Sequence, residues 1–144
     1  MNEETRPEPE FSVFDPQRFL GLDEMGLRVL SWRRLGRPDG PGLRQIRCEP
    51  DSHDARWCPS CGAYARVRSS WLRTLAHVPY GDDAVHLLVR VRRYECVPCS
   101  RSWSDDPEAV GAGRGVLSVP AVMWALRRVC LDSMTVSACA RLLH

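Results

Sequence analysis

The sequence predicts an α+β fold with a β-hairpin near the N-terminus, a ribbon of longer strands in the middle and short helices at the C-terminus. Three observations support it: two C-x-x-C motifs with a strand-rich segment between them, alternating apolar residues from 85 to 95, and helix-capping residues near both ends. The chain has 144 residues, of which 44% are hydrophobic. This size fits one small domain or two very small ones.

The N-terminal residues predict a polar tail followed by a short helix. Residues 1–10 are polar and rich in proline, so we expect them to be disordered. Asp15 followed by Pro16 is typical of an N-cap and a first helical position, because the cap side chain accepts a backbone N–H and proline needs none. The predicted helix ends at about residue 22.

Two short strands follow the helix. Residues 27–32 and 43–48 have strand composition, and the stretch 36–42 between them is rich in glycine and proline, which favours a hairpin turn. We therefore assign residues 11–52 to a helix and a β-hairpin. Cys48 on the second strand is either a buried small hydrophobe or a spare metal ligand, and the buried role is the more common one.

The two C-x-x-C motifs are the strongest signal in the chain. Cys58 and Cys61 form the first pair, and Cys96 and Cys99 form the second, with 34 residues between them (62–95). Two residues between cysteines allow both thiolates of one turn to bind a single ion, and two such turns complete the tetrahedral sulfur site that structural Zn²⁺ prefers. Gly62 suits the first turn because glycine readily adopts a left-handed backbone.

The segment between the pairs predicts the strands that bring them together. Residues 64–69 alternate arginine with other residues, and residues 85–95 alternate most clearly of all. One face of the second strand is apolar (Val85, Leu87, Val89, Val91), and the other is mixed (His86, Leu88, Arg90, Arg92). We assign residues 53–104 to a four-cysteine zinc ribbon in which the metal stabilises the fold.

Positive charge concentrates in the ribbon. The chain has a net charge of +2, yet residues 58–103 hold seven arginines and three acids, a net charge of +4, and the chain contains no lysine. Guanidinium groups pair well with phosphates, so we predict DNA contacts from this region. The predicted contact residues are Arg66, Arg68, Arg73, Arg90, Arg92 and Arg93. A solvated strand face is the alternative interpretation.

The histidines are weaker candidates. His77 and His86 fit structural roles better than metal binding, since four cysteines already fill a zinc site. His53, five residues before Cys58, is a somewhat better candidate for an additional ligand. Whether His53, His77 or Cys48 assists metal binding stays open at this point.

The C-terminal residues predict a linker and two helices. Residues 105–117 lose apolar periodicity and are rich in glycine, so we assign them to a linker. Pro120 fits the first turn of a helix with an apolar face (Val122, Leu126, Val129, Cys130). Thr135 then fits the N-cap of a second helix over 136–143. Two short helices joined by a tight turn are typical of the opening of a helix-turn-helix, so we assign 118–144 to a truncated one.

Four segments resemble the N-terminal region of ISL-three-type insertion-sequence transposases. They are Trp57–Gly62, Arg73–Gly81, Val89–Cys96 and, for the helix-turn-helix, Thr135–Leu143; the resemblance extends from about Leu20 to His144. It implies that Cys58, Cys61, Cys96 and Cys99 are the zinc ligands and that these modules bind the terminal inverted repeats of the element. In that family a separate RNase-H-like domain with a DDE triad cuts and rejoins DNA. We expect that domain to be absent from this chain, which then has no catalytic activity of its own.

Two enzyme classes that use paired cysteines fit this sequence poorly. A thioredoxin-like dithiol requires a helix after the first pair, whereas a strand is predicted here, and a zinc deaminase requires a His-x-Glu that is missing before the pair. A protein-interaction or regulatory module, for example a truncated transposase that inhibits the full-length transposase, stays open. The sequence shows no signal peptide or membrane segment, and its cysteine usage is typical of the reducing cytoplasm. We expect no small-molecule substrate.

Overall fold

The computed structural model describes residues 15–107, 110–111 and 114–144. The predicted disordered tail (1–10) and parts of the predicted linker (108–109 and 112–113) lie outside the described residues. The described part is α+β and consists mostly of strands. Its elements are α1 (Pro16–Phe19), β1 (Leu27–Gly36), β2 (Gly42–Pro50), a 3-10 turn (His53–Arg56), β3 (Arg66–Tyr80), β4 (Asp83–Glu95), β5 (Ser102–Ser104), α2 (Val119–Leu131) and α3 (Val136–Leu143).

The five strands form one sheet with β4 at its centre. The order is β1-β2-β4-β3, and β5 also pairs with β4. The predicted hairpin of β1 and β2 is antiparallel, as is the hairpin of β3 and β4. The two hairpins are joined by a parallel pairing of β2 with residues 84–89 of β4. Further along the same edge of β4, residues 93–95 pair with β5.

The apolar face predicted for β4 is confirmed. Val85, Leu87, Val89 and Val91 are all fully buried. They pack in one core with residues from the loop after α1, from three other strands and from the segment before α2, among them Leu20, Leu22, Met25, Leu27, Ile46, Cys48, Leu75 and Val110. Cys48 therefore has the buried role, and burial raises the pKa of its thiol to about 12.

Strand β3 is longer than its predicted length. The sequence predicts a strand over 64–69, and the structure continues it to Tyr80. Residues of β3 from Arg66 to Tyr80 are paired with β4 through two irregularities, so the backbone is held by its neighbour along nearly its whole length. Pairing with the long, buried strand β4 sets the length of β3, since the side chains of β3 itself are mostly polar or exposed.

Asp83 ties the two hairpins together at the start of β4. Asp83 is buried, with 5% of the residue exposed. Its carboxylate accepts two hydrogen bonds from Arg34, from Nε at 2.8 Å and from Nη2 at 2.9 Å. It also accepts hydrogen bonds from the Gly42 N–H and from Arg44 Nε, both at 2.8 Å. The Arg34 guanidinium in particular holds the pKa of Asp83 below its ordinary value. A glycine is required at position 42, where β2 lies close to β1, because a Cβ there would lie 2.5 Å from the Leu35 carbonyl oxygen.

His77 joins β3 to both helical segments. Its ring is buried, with Nε2 3.0 Å from the Leu20 carbonyl oxygen and Nδ1 2.7 Å from Ser118 Oγ. A carbonyl can only accept, so Nε2 carries the proton and Nδ1 accepts from the hydroxyl. Ser118 Oγ in turn accepts from Ala121 N at the start of α2. Burial lowers the pKa of His77, which is a structural residue.

The two C-terminal helices begin where the sequence predicts them. Thr135 Oγ1 accepts from Ala138 N at the start of α3, and Pro120 lies in the first turn of α2. The predicted apolar stripe of α2 is on the surface, however, with Leu126 53% exposed and Ala121 the buried residue of this helix. None of the described helices has the length and apolar character to span a membrane. Their assignment to a helix-turn-helix stays a prediction.

Candidate metal centre

The fold brings the four cysteines of the two C-x-x-C motifs together at one end of the sheet. The Sγ atoms of Cys58 and Cys99 are 3.5 Å apart, and those of Cys61 and Cys96 are 3.4 Å apart. All four Sγ atoms lie within 4.8 Å of one another. Strand β4 delivers Cys96 directly, because the residue follows the last residue of the strand.

The first pair lies on a tight turn. The Gly62 N–H donates to the Cys58 carbonyl oxygen at 2.9 Å, and the Ser60 N–H points at Cys58 Sγ from 3.4 Å. Gly62 has a φ of 71°, the left-handed conformation that its position predicts. The Cys58 N–H donates to the Ala63 carbonyl oxygen at 2.9 Å, which closes the turn from the other side.

The second pair repeats this turn with a different residue. Ser100 occupies the position that Gly62 has in the first turn, directly after the second cysteine, and its φ of 58° is also left-handed. The Cys96 N–H donates to the Arg101 carbonyl oxygen at 2.8 Å. The Arg101 guanidinium also donates to Ser60 Oγ, so it links the two turns. Sequence reasoning missed Ser100 and Arg101, although the alignment of the two motifs marks the position of Ser100.

The environment of the thiols favours ionisation at one of them. Burial opposes the thiolate of Cys58, but the backbone N–H groups of Cys61 and Ser60 and the adjacent thiols outweigh it, so the pKa of Cys58 falls to about 6. At Cys96 the N–H of Cys99 favours the thiolate, but burial and the adjacent thiols outweigh it, and the pKa rises to about 12. Negative charges this close repel one another, so ionisation of all four requires a cation between them.

The donor set fits a structural Zn²⁺. A Zn–S distance of about 2.3 Å in a tetrahedron corresponds to S–S edges of about 3.8 Å, close to the separations of 3.5 and 3.4 Å in the two pairs above. Four protein sulfurs leave no open position, which is the arrangement of a structural site rather than a catalytic one. Among the described residues the cluster consists of the four cysteines, without His53, His77 or Cys48. His53 is almost fully exposed and lies 3.8 Å from Asp51.

Aromatic residues surround the two turns. Trp103 on β5 stacks on Tyr94 with ring centroids 5.9 Å apart, and its Nε1 donates to the Ala55 carbonyl oxygen at 2.7 Å. On the other side, Trp57 meets Tyr64 edge-on at 5.3 Å. These contacts attach the 3-10 turn and β5 to the end of β4, where little of the main hydrophobic core reaches.

Three of the six predicted DNA-contacting arginines lie beside the metal centre. Arg66 and Arg68 form ion pairs with Glu95, with N–O distances of 2.7 and 3.8 Å, and both side chains are more than half exposed. Hydrogen bonding by Arg66 lowers the pKa of Glu95. Arg93 is exposed near the same carboxylate.

The other three lie further along the sheet. Arg73 is largely buried and binds Asp106 and the Gly111 carbonyl oxygen at 2.8 and 3.0 Å. Arg92 is partly buried and binds Glu49 at 2.6 Å. Arg90 is exposed. The structure thus divides the six side chains between the metal centre and the middle of the sheet, and their role in DNA binding stays a prediction.

These features define a four-cysteine zinc ribbon built on the end of a long β-hairpin. Comparison with families of known proteins gives a match over residues 54–99 to the zinc-finger of transposase IS204/IS1001/IS1096/IS1165, which are ISL-three-type transposases. The matched segment begins in the 3-10 turn and ends at the fourth cysteine, so the resemblance predicted from the residues is confirmed for the zinc-finger. No curated protein and no solved structure matches the chain.

Proposed function

We propose that this chain is the DNA-binding N-terminal portion of a transposase and that it recognises terminal inverted repeats. The observation that carries the proposal is the transposase zinc-finger match over residues 54–99, combined with the four sulfur atoms gathered at one point. In this proposal Zn²⁺ holds the two turns in position and takes no part in chemistry. The role is binding rather than catalysis, and the site of action is the cytoplasm.

The arrangement of the remaining elements supports DNA as the partner. Every basic side chain outside the histidines is an arginine, whose planar group pairs with phosphates and with guanine edges. Helices α2 and α3 follow one another through a short turn, as in the first two helices of a helix-turn-helix. We propose that these helices belong to such a motif and that the zinc ribbon orients them on the DNA.

The test is selection of DNA from a random duplex library by the purified zinc-loaded chain, followed by binding measurements at several salt concentrations. We expect enrichment of one sequence and affinity that falls with salt, because phosphate contacts release counterions. The matched control is the Cys96→Ser variant, which loses one metal ligand and should select nothing. A zinc-loaded, folded chain that binds no duplex at low salt would contradict the proposal.

A protein-interaction role is the second candidate, and the surface of α2 favours it. Its apolar stripe is exposed at Val122, Met123 and Leu126, between 40% and 54% of each residue. Such a face fits a protein partner, for example a full-length transposase that the chain would regulate. Co-elution with such a transposase that is lost in Leu126→Glu, in a chain that binds no DNA, would favour this role over the first.

A further inference from the structure

One face of the central sheet is open and positively charged. It lies opposite the hydrophobic core, between α3 at one end and β5 at the other, and it carries Arg33 on β1, Arg47 on β2 and Arg90 on β4; we call it the arginine face. Side chains alternate along a strand, and Arg90 alternates with the buried Val89 and Val91. Arg47 lies beside the buried Cys48, so it too points away from the core.

The strand register arranges these three arginines in a row. Arg33 on β1 is opposite Gln45 on β2, and Arg47 comes two residues after Gln45 on β2. Arg47 is in turn opposite Leu88, and Arg90 comes two residues later on β4. In the antiparallel pair of β1 and β2, diagonal neighbours of this kind lie about 7–8 Å apart. The row therefore crosses three strands, which suits a partner with repeated negative charges better than a single small anion.

The positive charge of this face is not balanced by acids. Glu49 is the one carboxylate that β1–β4 present on this side, and it is already held by Arg28 and by Arg92, the latter at 2.6 Å. Arg33 donates to the neutral Gln45 side chain at 2.7 and 2.9 Å. Within the described residues Arg47 and Arg90 have no ion pair, and both are exposed.

The surface between the arginines is open and partly apolar. Two adjacent hollows of about 360 and 370 Å³ meet at Arg47 and Leu88. Leu30 and Leu72 border the first hollow and are about half exposed. A nucleic-acid backbone alternates charged phosphates with apolar sugar faces, and this surface offers guanidinium groups and leucines to match.

We propose that the arginine face holds the phosphate backbone of DNA, with Arg33, Arg47 and Arg90 as the contact residues. The proposal rests on the proposed DNA-binding function and deepens it, because it places the main backbone contacts in the middle of the sheet rather than beside the metal centre. Arg92, a predicted contact residue, has a different role here: it neutralises Glu49, so the face stays positive.

The experiment compares DNA binding by wild type and the triple variant Arg33→Ala, Arg47→Ala, Arg90→Ala across a salt series, using the selected duplex or, without one, a mixed-sequence duplex. Each phosphate contact contributes about 0.9 to the slope of log K against log salt, so we expect the slope to fall by about 2 to 3. The matched control removes the same charge elsewhere, at Arg18, Arg37 and Arg114, and should keep the wild-type slope.

The outcomes separate this proposal from the proposed function. Failure of wild type to bind any duplex would overturn the proposed function. Binding by wild type with an unchanged slope in the triple variant, or an equal loss in the control, would overturn the arginine face alone. A larger loss in the double variant Arg66→Ala, Arg68→Ala would do the same, because it would return the main contacts to the zinc end.

A second measurement does not depend on the variant folding. Backbone amide resonances of the zinc-loaded wild type are recorded by NMR during addition of duplex. We expect the largest shifts at Gln45, Arg47 and Leu88, with small shifts at Leu22 and Leu75 in the core. Shifts confined to the zinc turns or to α2 and α3 would overturn the proposal.

Discussion

The two ends of β4 are stabilised in different ways. The half from Asp83 to Val91 is held by burial, with every second side chain removed from water and Asp83 bound to two arginines. The other half leads to Cys96, where the surroundings are short turns, a three-residue strand and exposed sulfur ligands such as Cys61 and Cys99. We therefore expect burial of apolar surface to stabilise the first half alone and the second half to depend on the metal.

The difference shows how a small chain divides the two kinds of stabilisation. The hydrophobic core contains none of the four ligands, and the zinc turns contribute no residue to that core. A single strand, β4, passes through both regions, so the sheet sets the position of the metal centre although the two regions share no residue.

Removal of zinc gives the largest expected effect. We expect chelation to disorder residues 53–65 and 96–104 while β1, β2 and the first half of β4 stay folded, because those strands are held by the core. Native mass spectrometry should show one zinc per chain before chelation, and NMR amide spectra should show which signals survive. Loss of all dispersed signals together would contradict the division into two regions.

Leu87→Ala tests the core half. Leu87 is fully buried, so its truncation leaves a cavity and should lower the free energy of unfolding by about 3 kcal/mol. Leu72→Ala is the matched control, since Leu72 lies on the neighbouring strand and is 52% exposed; we expect a change below about 1 kcal/mol. Denaturant unfolding measures both, and equal effects would show that the core is not where the structure has it.

His77 predicts a dependence of stability on pH. Burial keeps the pKa of His77 below the 6.5 of the unfolded chain, so the unfolded state binds a proton first as pH falls. The stability that neutral His77 provides is complete above pH 6.5 and is lost as pH falls from there through the folded-state value, by at most about 1.4 kcal/mol per pH unit.

Thermal unfolding between pH 7.5 and 5.5 measures this effect. The variant His77→Gln should show a smaller loss over that range than wild type, whereas His53→Gln, at an exposed position, should match wild type. Both variants keep the cysteine ligands, so competition between protons and zinc is common to all three proteins. Identical pH profiles for the two variants would contradict a role for His77.

The two turns of the metal centre give the smallest expected effect. Gly62 and Ser100 have the same left-handed backbone, which costs a residue with a Cβ about 1 kcal/mol. Nothing lies within 4 Å of a Cβ at Gly62, so Gly62→Ala should destabilise the zinc-bound form by about 1 kcal/mol through the backbone alone. Ser100→Gly should stabilise it by up to about 1 kcal/mol. Chemical unfolding of the zinc-loaded proteins measures the change in the free energy of unfolding for each variant. Changes of the same sign in both variants would contradict the equivalence of the two turns.

Local signals carried the correct predictions. The alternation along β4, the caps Asp15 and Thr135 and the spacing of the cysteines each concern residues close together in the chain. For signals of this kind, the interaction that forms the element joins residues only a few positions apart. The Asp15 side chain, for example, accepts a hydrogen bond from the Gln17 N–H at 3.1 Å and so begins α1. For this reason the elements and the metal ligands could be predicted from the sequence.

Contacts between distant residues could not be predicted in this way. Asp83 lies in a Gly-Asp-Asp sequence that indicates a turn, and nothing nearby reveals that Arg34 and Arg44 will surround it. Arg92 alternates along β4 like an exposed residue, yet its partner Glu49 comes from β2, which no local pattern predicts to pair with β4. The exposed stripe of α2 is a similar case, because amphipathic spacing shows a face without showing what covers it.

The parallel pairing of β2 with β4 has a consequence for how the chain folds. Paired residues such as Cys48 and Val89 are 41 positions apart, and β3 and the first zinc turn are in the intervening chain. Each hairpin closes over a short loop, within about 1–10 μs for simple hairpins, whereas the parallel pairing must close a long one. We expect the docking of two preformed hairpins to be the slow step of folding, because the parallel pairing raises the contact order of the chain and folding rates fall as contact order rises.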